Sequence, residues 1–366
     1  MINIRCIPEK LLILSSIFYY YVAALLPNNI NQFLAYSITI GSFLAFYVVV
    51  RYLLINNITK QIVIYLIIVI ATLIISYIMG WSNLVWLALM TVPLLRMERD
   101  SFIKSVFYFS LILFVITIGL SILGYLPLEY INFSGGIEER YGAIKYSLGF
   151  DGPNQASFSF FTVLLSGLYT YGSSRMFVLV STVATLAVGF ATGSRTGMAC
   201  GLLFIFVYLR VKHKDKLVDK GVIRIVPYLF VILAIFSFFT AILLQNSEAM
   251  NKTLSGRPEL IGYYIKSDYM PTLFGNDEVY NKAEHQTPPL DNFPIYILGK
   301  YGIVVFILFA LLFYFSLRNE MSDKIKVVFI FILLYGLTEA FFDIPAKNFL
   351  LPIMFYSLLI KPKRES

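Results

Sequence analysis

Residues 225–317 read IVPYLFVILAIFSFFTAILL (225–244), QNSEAMNKTLSGRPELIGYYIKSDYMPTLFGNDEVYNKAEHQTPPLDN (245–292) and FPIYILGKYGIVVFILFALLFYFSL (293–317). The two outer segments are apolar and long enough to cross a bilayer, since a spanning helix needs about 20 such residues. The 48 residues between them are mixed in polarity, so they lie in water or at the membrane surface. Loops of that length are uncommon and are usually functional or disordered. Leu260, Ile261, Tyr263, Tyr264 and Ile265 follow Pro258, a residue suited to a first helical turn, and predict a short amphipathic helix resting on the membrane.

The rest of the chain repeats the pattern of the flanking segments. Of its 366 residues 58% are hydrophobic and 14% charged, at a mean hydropathy of +0.77, which leaves too little polar surface for a water-soluble domain. Apolar runs lie near 11–26, 33–50, 61–78, 83–95, 105–124, 155–171, 176–191, 197–210, 225–244, 293–317, 327–341 and 348–360. The fold expected is an all-α polytopic membrane protein of about 12 transmembrane helices (10–14 bracket the count), forming a single transmembrane domain over 1–366 with 245–292 as its outer-face loop. The runs at 83–95 and 348–360 are short, and need their flanks, tilted neighbours or local thinning of the bilayer to cross. Arg5 and Lys10 precede the first run as in a signal peptide, but no Ala-x-Ala site follows before Pro27, so it reads as a retained helix.

Charge sets the orientation. With both termini in the cytoplasm, 20 of the 29 Lys and Arg fall in cytoplasmic loops and ends, together with only eight of the 21 acids. That asymmetry follows the positive-inside tendency and predicts a multi-pass protein of the cytoplasmic membrane. It also accounts for the net charge of +8, so no nucleic-acid partner is implied. The basic segment 211–224 reads as a solvated cytoplasmic loop. Cys6 and Cys200 form no disulfide framework, and His213 and His285 sit in different loops, so no metal site is expected.

The outer face then collects 125–154, the turn Thr192-Gly193-Ser194-Arg195-Thr196-Gly197, the long loop, and 342–348 with Asp343 and Lys347. Arg195 occupies a very short turn with no acid beside it, where an outer cation is disfavoured. Two glycines and three hydroxyls around it suit an anion-binding nest; the alternative is that Arg195 snorkels to lipid headgroups. Arg140 and Arg257 are the other outer arginines. Three guanidiniums in one hollow suit a pyrophosphate, while pairing with Glu138, Glu139 or Glu259 is the plainer reading of Arg140 and Arg257.

Asp151, Pro153 and Asn154 stand where the first loop re-enters the membrane, with Asn154 either capping a helix or meeting substrate. Asp291 and Asn292 make the same kind of entrance at Phe293, and Asp291 reads either as a cap or as a general base. Lys300 lies eight residues into that helix, roughly 12 Å along it, and an intramembrane ammonium faces a bundle interior or a polar cavity. Glu339 is a potential partner for it. His285 is an ordinary loop histidine or a second candidate base, and Tyr264, with Tyr263, Tyr269 and Tyr280, offers rings for sugar stacking.

These motifs, in their order and outer placement, resemble the O-antigen polymerase and ligase superfamily: Arg140 ahead of Asp151-Gly152-Pro153-Asn154, Gly193-Ser194-Arg195-Thr196, Ser255-Gly256-Arg257, and Asp291-Asn292 ahead of Gly302-Ile303. The likeness covers about residues 130–305. It implies a membrane glycosyltransferase of the GT-C class, without cofactor or metal, that takes an oligosaccharide linked to undecaprenyl pyrophosphate and transfers it to a sugar hydroxyl. By position, Arg140, Arg195 and Arg257, with Lys300 added by its place in the helix, would bind the pyrophosphate. Asp151, Asn154, Asn292 and Tyr264 would meet sugar, with Asp291 or His285 as base.

Ligases of the superfamily carry His-Asn, nine residues and Gly; here the pair is Asp291-Asn292, which favours a Wzy-type polymerase making O-antigen of lipopolysaccharide, capsule or a related polysaccharide. A chain-length regulator and a flippase are the partners such a polymerase implies. Two alternatives remain: an O-antigen-type ligase using another acceptor, and a lipid-linked oligosaccharide flippase. A transporter would place ionisable residues deep in several helices.

Overall fold

The computed structural model describes residues 6–23, 30–56, 58–130, 145–172, 174–213, 225–253, 257–266, 272–275, 292–319, 321–339, 341 and 343–359. Arg140, His285 and Asp291 lie outside them. Each of the twelve apolar runs contains a helix. In chain order these are α1 (Ile7–Ala23), α2 (Ile30–Ile55), α3 (Lys60–Ile78), α4 (Ser82–Thr91, continued by the 3-10 turn Val92–Leu95) and α5 (Arg99–Ile122). Then follow α6 (Pro153–Tyr171), α7 (Arg175–Thr192), α8 (Arg195–His213) and α9 (Leu229–Leu244). Two helices of the long loop, α10 (Glu248–Thr253) and α11 (Arg257–Lys266), precede α12 (Phe293–Asn319), α13 (Asp323–Gly336) and α14 (Leu350–Leu359).

The protein is thus an all-α, multi-pass membrane protein, but the count of twelve spans is not carried by the structure. Among the described residues six helices are long and apolar enough to cross: Tyr36–Ile55, Lys60–Ile78, Arg99–Ile122, Arg175–Thr192, Val226–Leu244 and Phe293–Arg318. On α2 and α3, Phe43, Phe46, Ile67 and Ile70 are more than half exposed, as side chains facing lipid should be. Ser82–Leu95 and Leu350–Leu359 are shorter and largely buried: every residue from Leu84 to Leu95 lies inside, as do Leu350 to Met354. Hydropathy scores a helix wrapped in protein and a helix wrapped in lipid alike, which is why both runs read as spans.

Local chemistry starts several helices where the sequence turns. Thr59 Oγ1 accepts from the Ile62 amide at 3.4 Å to cap α3, Ser174 Oγ accepts from Phe177 at 3.3 Å to cap α7, and Pro153 opens α6. The chain forms two compact units, 1–215 with 344–360, and 216–343 with 361–366. In the first, α6 packs against α5, α7 and α8, α1 against α2 and α5, and α4 against α3 and α14. Trp86 is fully buried, stacked on Tyr19 at 5.4 Å, and a Cβ on Gly41 would meet its ring at 2.9 Å, so only glycine lets α2 approach so closely.

In the second unit α9 packs against α11 and α12. Phe230 lies 5.5 Å from Phe293 and 5.1 Å from both Phe306 and Phe313, and Phe313 continues to Phe329 at 5.0 Å. Helix α11 forms after Ser255-Gly256 as expected, but its apolar face meets protein: Leu260, Ile261 and Tyr264 pack with Phe238, Ala241, Ile295 and Tyr296. One small element was not foreseen. Strands β1 (Glu129–Tyr130) and β2 (Lys145–Tyr146) pair antiparallel, Tyr130 opposite Lys145, ahead of α6.

Candidate functional site

In the second unit, residues far apart in sequence meet where α11 starts, α12 starts and α13 ends. Asn292 is buried and uses its whole amide. Its Oδ1 accepts from the Ile295 amide at 3.3 Å, capping α12, while its Nδ2 donates to Ser237 Oγ at 3.0 Å and to Leu337 O at 3.3 Å. The next carbonyl, Thr338 O, accepts from Arg257 Nη2 at 2.9 Å, and Glu339 lies 4.0 Å from the same guanidinium nitrogen. Arg257 and Asn292 therefore grip consecutive carbonyls of one turn. The Arg257 side chain keeps 23% of its surface open. Tyr264, about two turns further along α11, is half-buried in the same unit.

Lys300 and Asp343 form a second polar group in the same unit. Lys300 Nζ donates to the Tyr296 hydroxyl at 2.8 Å and stands 4.0 Å from Asp343 Oδ2, which also accepts from the Tyr301 hydroxyl. The ammonium lies 5.2 and 5.3 Å from the centroids of the Tyr296 and Tyr301 rings, within cation–π range. Asp343 is fully buried, whereas Lys300 keeps 22% of its side chain open. The pairing of Lys300 with Glu339 expected from sequence is corrected: Glu339 sits at the end of α13 beside Arg257, and the partner of Lys300 is Asp343.

Helix α12 is broken at Gly302, where φ is 82° and ψ is 179°. From Ile303 to Arg318 the chain rises roughly 23 Å as helix.

In the first unit, Gly193 ends α7 in the left-handed conformation at φ 63°, and Ser194 caps α8 by accepting from the Gly197 amide at 3.3 Å. Thr192 Oγ1 donates to Val188 O at 2.7 Å and accepts from the Ser194 amide at 3.3 Å. Two of the three hydroxyls expected to line an anion nest are therefore engaged in holding the turn. Arg195 is exposed at the first position of α8.

Beside it stands a residue sequence reasoning missed. The aliphatic chain of Lys145 lies 3.4 Å from where a Cβ on Gly193 would stand, and burial followed by the charge of Arg195 pushes its ammonium below the usual lysine range. Its place in the 125–154 segment, which the charge pattern assigns to the outer face, was the available signal. Asp151 and Asn154 are both exposed at the start of α6. The capping role considered for Asn154 is corrected, because Gly152 is the cap residue and no side chain bonds there.

Among the described residues, no three His, Cys, Asp or Glu side chains cluster in a way that would hold a metal ion. No family model matches this sequence, and no curated protein or solved structure matches it significantly.

Proposed function

We propose that this protein is a metal-independent membrane glycosyltransferase that polymerises undecaprenyl-pyrophosphate-linked oligosaccharide repeat units into surface polysaccharide on the outer face of the cytoplasmic membrane. The observation that carries the reading is the second-unit cluster. Arg257, Asn292, Lys300 and Tyr264, picked out from separate stretches of sequence, share one unit, and the two cations keep open surface while anchored from behind by Glu339 and Asp343. Prearranged cations stabilise charge that appears on a leaving group without having to reorganise at that moment.

In the reaction an acceptor sugar oxygen bonds to the anomeric carbon of the donor. The bond from that carbon to the pyrophosphate oxygen breaks, and lipid diphosphate leaves with the electron pair. Arg257 and Lys300 receive that charge, and Arg195 and Arg140 are the further cations that the sequence resemblance assigns to it. The proton of the acceptor hydroxyl passes to a base, for which Asp291, next to the anchored Asn292, precedes His285. Asp151, Asn154 and Tyr264 are assigned to sugar contacts. The topology proposed has both termini in the cytoplasm, and a chain-length regulator and a flippase are proposed as partners.

The decisive experiment incubates the purified protein in nanodiscs with a lipid-linked repeat unit and separates the products by size. A ladder supports polymerase, and a single extended acceptor shifts the reading to ligase. One observation favours a second reading, a lipid-linked oligosaccharide transporter: a broken helix beside an ionisable pair is a recurring feature of transporter binding sites. Translocation of the labelled lipid across proteoliposomes, with no ladder, would select it.

A further inference from the structure

The long outer loop and the broken helix meet backbone to backbone. The amides of Ile303 and Val304 donate to Thr272 O and Leu273 O, both at 3.1 Å. These belong to the first amides of the 303–319 helix, which have no partner within a helix of their own. Gly302 and Gly275 face one another at φ 82° and 75°. A Cβ on Gly302 would run into the Gly275 nitrogen and the Leu273 carbonyl, and a Cβ on Gly275 would run into the Lys300 carbonyl. Thr272 Oγ1 closes the loop segment on itself by donating to Gly275 O at 2.8 Å. Four loop residues thus fill the gap in the helix and seat on Lys300, whose ammonium lies against Tyr296 and Asp343.

We propose that Thr272–Gly275 is a strap that positions Lys300, with Thr272 and Gly275 as positioning residues. Seated, it supplies the acceptors that the 303–319 amides need and so stabilises the break. Unseated, those amides regain helical partners only if φ and ψ at Gly302 pass from 82° and 179° to about −63° and −42°, which makes the helix continuous and turns Lys300 away from Asp343. The strap is part of the loop between α9 and α12, so whatever engages that loop is coupled to the direction of the Lys300 charge. What that charge grips rests on the proposed function; the seating itself does not.

The test is therefore independent of any glycan. Full-length protein in nanodiscs is acylated briefly with an amine reagent, and Lys300 modification is read by mass spectrometry relative to Lys326, which pairs with Asp323 at 3.9 Å. Gly275→Ala, which blocks seating, and Thr272→Val, which removes the hydroxyl that closes the strap, should each raise Lys300 modification about five-fold, the change in occupancy that loss of one hydrogen bond implies. Asp343→Asn should raise it as well. Native-level labelling in Gly275→Ala, with Asp343→Asn raised, overturns the strap. Native-level labelling in Asp343→Asn overturns the contact the strap is said to maintain. If Gly275→Ala fails to fold, Thr272→Val alone decides. A ladder assay on the native protein shows separately whether the glycosyltransferase reading fails.

Discussion

Replacing Asn292 separates a residue that builds the site from one that only touches substrate. Its amide caps α12 through Ile295 and ties α9 and the end of α13 through Ser237 and Leu337. Asn292→Ala removes all three bonds. The cap contributes about 1 kcal/mol. Interhelical polar bonds inside membrane bundles average about 0.6 kcal/mol each, and Ser237 keeps its own bond to Leu233 O at 2.9 Å. The expected loss is about 2 kcal/mol, or roughly 4 °C at ~2 °C per kcal/mol for a chain of this size. Asn292→Ser retains a capping oxygen but is too short to reach Leu337, so it should lose about half as much. The assay is thermal unfolding in one detergent, followed by ladder formation on the folded variants. The reasoning is refuted if alanine and native unfold together, or if serine is as damaging as alanine.

Further outcomes follow from other parts of the structure. Arg195→Ala should abolish chain growth at normal expression, since Ser194 and Gly193 hold the turn without the guanidinium; Arg195→Lys should rescue poorly for want of a planar fork. Lys145, held below the usual lysine range, should lose its charge at a lower pH than an ordinary lysine. Phosphate-analogue binding should weaken as pH rises toward 10.5, with Lys145→Arg removing that dependence and an unchanged profile counting against the residue. Glu9 is fully buried and bonded to Arg96 at 3.0 Å in the first unit. Arg96→Met should therefore destabilise by about 3–5 kcal/mol by stranding the carboxylate, with Glu9→Gln on the same chain recovering most of it; a double-mutant cycle in urea reads the coupling.

Much of the site was legible one residue at a time. Arg257, Asn292, Lys300 and Tyr264 were singled out because cations, amides and rings at the outer ends of apolar runs need a reason to be there. Their neighbours were not legible. Nearby Glu259 was weighed for Arg257, yet the acid that approaches it is Glu339; Glu339 was a potential partner for Lys300, yet the carboxylate beside it is Asp343. Gly302 was noted only for its place after Asp291-Asn292, and nothing in its local context showed that it meets Gly275.

The sequence alone determined the helices and the membrane, because lipid offers the backbone no partner but itself and an apolar run must therefore coil. It also marked some helix starts, such as Pro153 for α6, since a proline acts within one turn. Only the tertiary structure decided which apolar helices are wrapped in protein, as Leu84–Leu95 is. It alone also decided which carboxylate faces which cation, and that a loop segment occupies the break in α12. Those outcomes depend on side chains tens of residues apart sharing a few ångströms, and packing fixes such neighbours where local propensity carries no record of them.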